Sequence, residues 1–178
     1  NKSLALRQSI NDNNGLPWTF LGFASMYQQM EDFTKASEYY SLALTNKNEN
    51  KRLELLCFIG VGKIEIINSN LDKATHYLNQ ALNSAQELKM KSLIYDIHYS
   101  FSQLYKQQKN TTKELEHFKA FYYLKEEVIN AETTNKLKKQ QIAFSVERSQ
   151  KEAEIYQLKN VELKKAYNIV NEKNTEIT

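Results

Sequence analysis

The chain has 178 residues but only four Gly and one Pro, where average usage would supply roughly 21 of the two together. That scarcity argues against all-β folds, which turn every ~10 residues, and against doubly wound α/β folds with glycine-rich phosphate loops, leaving a mostly helical, all-α chain. An apolar fraction of 41% with 11% aromatics is enough to build the core of about one domain, and a net charge of +3 spread along the sequence marks out no nucleic-acid or anionic-membrane surface.

Cys57 is the only cysteine, so an internal disulfide and a cysteine-based metal cluster are both impossible, which fits a reducing, cytoplasmic setting. No run approaches the roughly 18 consecutive apolar residues of a membrane span. The missing initiator Met reads as a fragment of a longer protein.

All four glycines, Gly15, Gly22, Gly60 and Gly62, and Pro17 fall in the first 62 residues. Everything from Lys63 onward is expected to be nearly all helix, with connections made by Asn, Ser and Asp, whose side chains favour caps and turns. Such clusters occur at Asn11 to Gly15, Thr45 to Asn50, Asn68-Ser69-Asn70 and Asn110-Thr111-Thr112. Between them apolar residues recur three and four apart, which predicts helices near 2–11, 17–30, 33–46, 51–68, 71–88 and 90–108, then one from about 112 onward.

Aligned on itself, the chain carries three copies of one pattern. Phe20, Phe23, Ala24 and Tyr27 are followed by Ala36, Tyr40 and Ala43. Phe58, Val61, Gly62 and Glu65 are followed by Ala74, Leu78 and Ala81, and His98, Phe101, Ser102 and Tyr105 by Glu114, Phe118 and Phe121. Small residues at Ala24, Gly62 and Ser102 are expected to let the two helices of a pair approach closely, and Tyr27, Tyr40 and Phe118 to fill the space between neighbouring pairs.

This pattern resembles the tetratricopeptide repeat, in which each helix pair buries its second face by stacking on the next. The resemblance covers residues 17 to about 125. It departs from the family in its repeat spacing of 38 and 40 residues, in lacking a terminal Pro, in Glu65 where an aromatic is typical, and in Glu114 where a small residue is. It implies a superhelix of helix pairs over 17–130, a remnant of a preceding repeat in 1–16 to which Ala5 fits, and a separate long helix over 131–178. An unrelated helical bundle is the alternative.

In such a superhelix the first helices line an inner surface on which a peptide or protein partner docks. Helical spacing puts Trp18, Leu21, Ser25 and Gln28 there from the first pair, Ile59, Lys63 and Ile66 from the second, and Tyr99, Gln103 and Lys106 from the third. The paired Lys and Asn with which similar proteins grip a terminal carboxylate are replaced by Ser25, Lys63 and Gln103, so that clamp is not expected. Trp18, beside Pro17 at a helix start, reads more as a packing residue covering the first hairpin than as a ligand anchor, and Lys63 and Lys106 also read as solvated residues.

From Ile142 a four-three alternation sets in, through Val146, Ser149, Ala153, Tyr156, Asn160, Leu163, Tyr167, Val170 and Asn174 to Ile177. With Ile142 at d and Val146 at a, this is a coiled coil of five heptads, a rod of roughly 54 Å at ~1.5 Å per residue. Asn160 and Asn174 fall at a, where they sacrifice stability to fix register and favour a two-stranded parallel pairing. A parallel homodimer through these residues is therefore expected; the alternative is a helix folded back on its own repeats.

No catalytic constellation emerges. His76, His98 and His117 are about 20 residues apart on different helices and form no HExxH or Cys/His metal set. Gly60-Val61-Gly62-Lys63 imitates a phosphate loop but lacks its spacing and its Ser or Thr. The lysines of 136–139 have no interleaved aromatics for a nucleic-acid path. Neither enzyme activity nor a cofactor is expected of these residues.

Repeats followed by Tyr123-Leu124-Lys125-Glu126-Glu127-Val128 and a long charged helix resemble bacterial signalling proteins in which such repeats feed an output domain. The stretch from Glu154 to Tyr167, closing with Asn171 to Thr178, is similar to the signalling helix of Bacteroidetes-type proteins ahead of SpoIIE-like serine/threonine phosphatases, GGDEF or nucleotide cyclases, or histidine kinases. The resemblance implies a sensor and dimerisation module for a catalytic domain, the phosphatase foremost. A stand-alone scaffold, holding one protein in its groove and another on its coiled coil, is the alternative.

Overall fold

The computed structural model describes residue 12 and residues 14–175, with side chains placed as far as Ala166. The expected helix over 2–11 and the remnant repeat around Ala5 lie outside the described residues. Those described form an all-α chain of six helices: α1 (Leu16–Gln29), α2 (Phe33–Thr45), α3 (Lys51–Ile67), α4 (Leu71–Glu87), α5 (Lys91–Gln107) and α6 (Thr111–Thr175). No strand occurs among them. The chain divides into two units, residues 1–128 and 129–178.

Four of the five connections use the same three-residue joint. A C-cap residue is followed by one in the left-handed region, then by the N-cap of the next helix. The left-handed residues are Glu31, Ser69, Lys89 and Lys109, with φ between 53° and 61°. At each joint the next N–H reaches back into the last turn: Asp32 to the Tyr27 carbonyl at 2.9 Å, Asn70 to Glu65 at 2.8 Å, Met90 to Ala85 at 2.9 Å and Asn110 to Tyr105 at 2.9 Å. This is the Schellman arrangement, satisfying carbonyls the helix end would otherwise leave bare. Its last residue then starts the next helix. Asp32 accepts from the Lys35 N–H at 3.1 Å and Asn110 from the Lys113 N–H at 3.2 Å. Links this short force successive helices to run antiparallel. The exception is the α2–α3 connection, five residues long, which turns at Asn48 with φ 49° and ends at Asn50, whose side chain accepts from the Leu53 N–H at 3.0 Å.

Two cores share α3. Phe20, Ala24, Ala36, Tyr40 and Ala43 pack with Leu53, Cys57 and Ile64 on one side of it. Leu55, Ile59 and Ile66 on its other side pack with Ala74, Leu78, Ala81, Ile97, Phe101 and Leu104. The alanines give the close approach read from the pattern. A Cβ at Gly62 would stand 2.9 Å from Leu78 Cδ2 on α4, so this glycine sets the spacing of its own pair. Tyr40 bridges to the next pair, its ring lying where a Cβ of Gly60 would go.

Two space-filling assignments need correction. Tyr27 does not sit between pairs; it stacks on Tyr39 of its own pair, with ring centroids 5.4 Å apart and planes at 6°. Lys35 Nζ lies 5.2 Å from the Tyr27 ring, and this cation–π contact holds it there. Phe118 is 46% exposed, because α6 meets α5 through His117 and Phe121 instead, one residue and three residues around the helix. From residue 129 to Thr175 α6 continues as helix, with every described side chain exposed. The ion pairs Arg148–Glu152 at 2.9 Å and Lys151–Glu147 at 2.8 Å support it at i,i+4 spacing.

Candidate functional site

The first helices of the three pairs, α1, α3 and α5, lie side by side, α1 against α3 and α3 against α5. Two clefts run along them. The first, about 370 Å³, is lined by Leu21, Ser25, Gln28, Gln29, Tyr40, Leu56, Ile59, Gly60 and Lys63. The second, about 420 Å³, is lined by Lys63, Ile66, Ile67, Asp96, Tyr99, Ser100, Gln103 and Gln107. Lys63 belongs to both. Eight of the ten expected groove residues therefore line this surface. Trp18 and Lys106 line neither cleft; Trp18 is 37% exposed at the start of α1.

Two polar contacts organise the clefts. The buried Tyr40 hydroxyl donates to Gln28 Oε1 at 2.7 Å, which turns the Gln28 amide group toward the cleft wall. Burial raises the Tyr40 phenol, and the Ser25 hydroxyl partly offsets that, so it remains a neutral donor. Lys63 is not simply solvated: its Nζ donates to Asp96 Oδ2 at 2.7 Å and ties α3 to α5 where the clefts meet. The first cleft thus offers the Gln28 amide, its oxygen already bonded to Tyr40, and the Gln29 amide, and the second those of Gln103 and Gln107, groups that carry both donors and acceptors. Between them lie the apolar walls of Leu21, Leu56, Ile59, Ile66 and Tyr99. This combination of apolar wall and sparse polar groups suits an extended chain: side chains meet the wall and backbone groups meet the amides. The sequence pattern did not mark Asp96 or the second glutamine of each cleft; Asp96 and Gln107 lie one helical turn beyond Tyr99 and Gln103, and Gln29 is adjacent to Gln28.

Ile142, Val146, Ala153, Tyr156, Asn160 and Leu163, the described part of the expected seam, are all exposed, as is Ser149. The side chains of Tyr167, Val170, Asn174 and Ile177 lie outside the described residues. Phe144, Ile155, Leu158 and Val161 are exposed as well, and in the same register they fall at f, c, f and b, away from the seam.

His98 and His117, 19 residues apart, are brought together, with Nδ1 atoms 2.9 Å from each other. The signal was in the repeat: Phe20–Tyr39 and Phe58–Tyr77 have the same separation and also pack ring to ring, at 6.4 Å and 5.9 Å. Among the described residues no group of three or more His, Cys, Asp or Glu is placed to hold a metal ion, and no helix is long and apolar enough to cross a membrane. Cys57 is fully buried and its thiol is pushed up to about 12 by that burial, which keeps it protonated and unreactive.

No protein-family model matches the chain, and no curated protein is significantly similar to it.

Proposed function

We propose that the chain is a regulatory interaction module of the tetratricopeptide type. It holds an extended segment of a peptide or protein partner along α1, α3 and α5, and passes that occupancy to a paired output helix. The observation that carries this reading is the pair of adjoining clefts sharing Lys63, lined by the residues the repeat pattern assigns to a partner groove. The partner's backbone bonds to the four glutamine amides, its apolar side chains rest on Ile59, Ile66 and Tyr99, and Lys63 with Asp96 forms a polar checkpoint midway.

The output arm is a parallel two-stranded coiled coil of residues 142–177. Two things support it: the exposed, regularly spaced seam residues, which a lone helix leaves in water, and Asn160 at an a position. Partner binding alters the register or splay of the two helices and so controls a catalytic domain attached after them, a SpoIIE-like serine/threonine phosphatase being the foremost sequence resemblance.

The groove is tested by selecting displayed random peptides on the 178-residue chain and measuring the enriched peptides against Lys63→Glu and Tyr99→Ala. Loss of one central contact is expected to weaken binding about tenfold or more. Lys63–Asp96 is partly exposed and contributes little to folding, so Lys63→Glu, although it faces Asp96 with a like charge, is expected to keep the helix content of the unaltered chain by circular dichroism. Peptides that bind both variants as tightly as the unaltered chain refute the groove.

A further inference from the structure

We propose that His98 and His117 form a one-proton clasp that holds α6 against α5 near neutral pH and releases it on acidification. In the first two helix pairs the corresponding positions, Phe20–Tyr39 and Phe58–Tyr77, make ring contacts that no proton can alter. In the third pair both rings are imidazoles. Their centroids are 5.1 Å apart while the Nδ1 atoms are 2.9 Å apart. The gap between centroids is thus about equal to the nitrogen–nitrogen distance plus the two ring radii, so the nitrogens point at each other nearly head on. That is the geometry of a hydrogen bond; lone pairs converging on a shared metal ion would meet at an angle.

An Nδ1 to Nδ1 hydrogen bond requires one nitrogen to carry a proton and the other to be bare. Two neutral rings satisfy it. So does one imidazolium, protonated on both nitrogens and donating to its neutral partner. A second proton has to go on the accepting Nδ1, which sets two N–H groups and two positive charges face to face.

The surroundings oppose charge. The Phe101 and Tyr105 rings lie 4.8 Å and 5.3 Å from the His117 ring. Burial lowers both imidazoles below 6.5, and the charge of His117 lowers His98 further. On α6, Glu116 pulls both upward, and Lys113, whose ammonium sits 5.1 Å from the Tyr105 ring, pushes His117 down. On α5 the carboxylate of Asp96 is engaged by Lys63 of α3. The unfolded chain therefore binds more protons than the folded one below 6.5. Stability is at its full value above that pH and declines as pH falls, until the clasp itself titrates. Each proton the clasp excludes raises the opening constant of α6 up to about tenfold per pH unit.

The test is an NMR titration of the imidazole Cε1–H signals of the 178-residue chain from pH 8 to 4.5, in EDTA, with protection factors for the α6 amides of residues 113–127. His98 and His117 are expected to titrate below the ordinary imidazole value of 6.5 in separated steps, with α6 protection falling about tenfold per pH unit over the same range. Replacing the pair by the rings of the other repeats, His98→Phe with His117→Tyr, is expected to keep α6 docked and to abolish that fall. A single titration of both rings at the ordinary imidazole value of 6.5, or α6 protection that stays level between pH 7 and 5, overturns the clasp. So does acid opening that persists in the double variant. The titration of the unaltered chain decides even where that variant fails to fold.

Discussion

Replacing Gly60 by Ala and Gly22 by Ala is predicted to have opposite effects, although both sit inside helices. In an open helical position the change stabilises by about 1 kcal/mol, because Ala loses less backbone freedom on folding. A Cβ at Gly22 would meet no neighbouring atom within 4 Å, so this position gains that amount in full. At Gly60 the same methyl falls on the Tyr40 ring, overlapping Cζ and Oη and lying 2.6 Å from Cε1. Tyr40 has no room to retreat: it is 3% exposed and its hydroxyl is bonded to Gln28. Overpacking of this kind costs about 1–3 kcal/mol and the displaced hydrogen bond about 1 kcal/mol more. Subtracting the helix gain leaves a net loss of about 2 kcal/mol. Urea unfolding followed by the fluorescence of Trp18, the only tryptophan, reads the stability of residues 1–128. Adding Tyr40→Leu to Gly60→Ala should recover part of the loss. Equal stabilisation by the two glycine replacements would refute the reasoning that Tyr40 and Gly60 set the spacing between the first two pairs.

Lys89 occupies a left-handed position, φ 53°, at a joint where glycine is the usual residue. Lys89→Gly should raise stability by about 0.5–1 kcal/mol in the same urea assay, whereas Lys89→Ala, which keeps the Cβ, should bring no gain. Cys57, buried and with its thiol pushed up to about 12, should resist a thiol reagent such as DTNB at pH 8 for hours and react within minutes in denaturing urea. Rapid reaction of the folded chain would place the thiol at the surface and contradict the packing of α3.

Three helix starts were legible because Asn50, Asn70 and Asn110 stand at the clusters that mark them in the sequence. The joints were less so. Their left-handed residues are Glu31, Ser69, Lys89 and Lys109, none of which signals positive φ in a sequence, and Met90 starts α5 with no side-chain cap at all. Helical spacing alone puts Leu21, Ser25, Gln28, Ile59, Ile66, Tyr99 and Gln103 on the faces that line the two clefts. It does not give partnerships across helices: the bond from Lys63 to Asp96 spans 33 residues and no local period encodes it. Glu114, Phe118 and Phe121 align with Ala36, Tyr40 and Ala43, yet Phe118 is exposed where Tyr40 is buried. The difference lies in the neighbour, since Tyr40 is covered by α3 and Phe118 has no such helix over it among the described residues. The clasp was hidden for a different reason. Metal-ligand spacing treats each histidine as an isolated residue, and only the 19-residue ring pairing of the earlier repeats places His98 and His117 together.

The proposed transmission requires two copies of the C-terminal helix to meet, and the solution mass of the 178-residue chain tests that most directly. Light scattering over a range of concentrations is expected to give twice 20.8 kDa. Tyr156→Glu with Leu163→Glu, at positions 68% and 70% exposed in the single chain, is expected to return it to 20.8 kDa with its helix content unchanged. A single-chain mass at every concentration, or a dimer that survives both substitutions, would contradict a parallel pair of output helices.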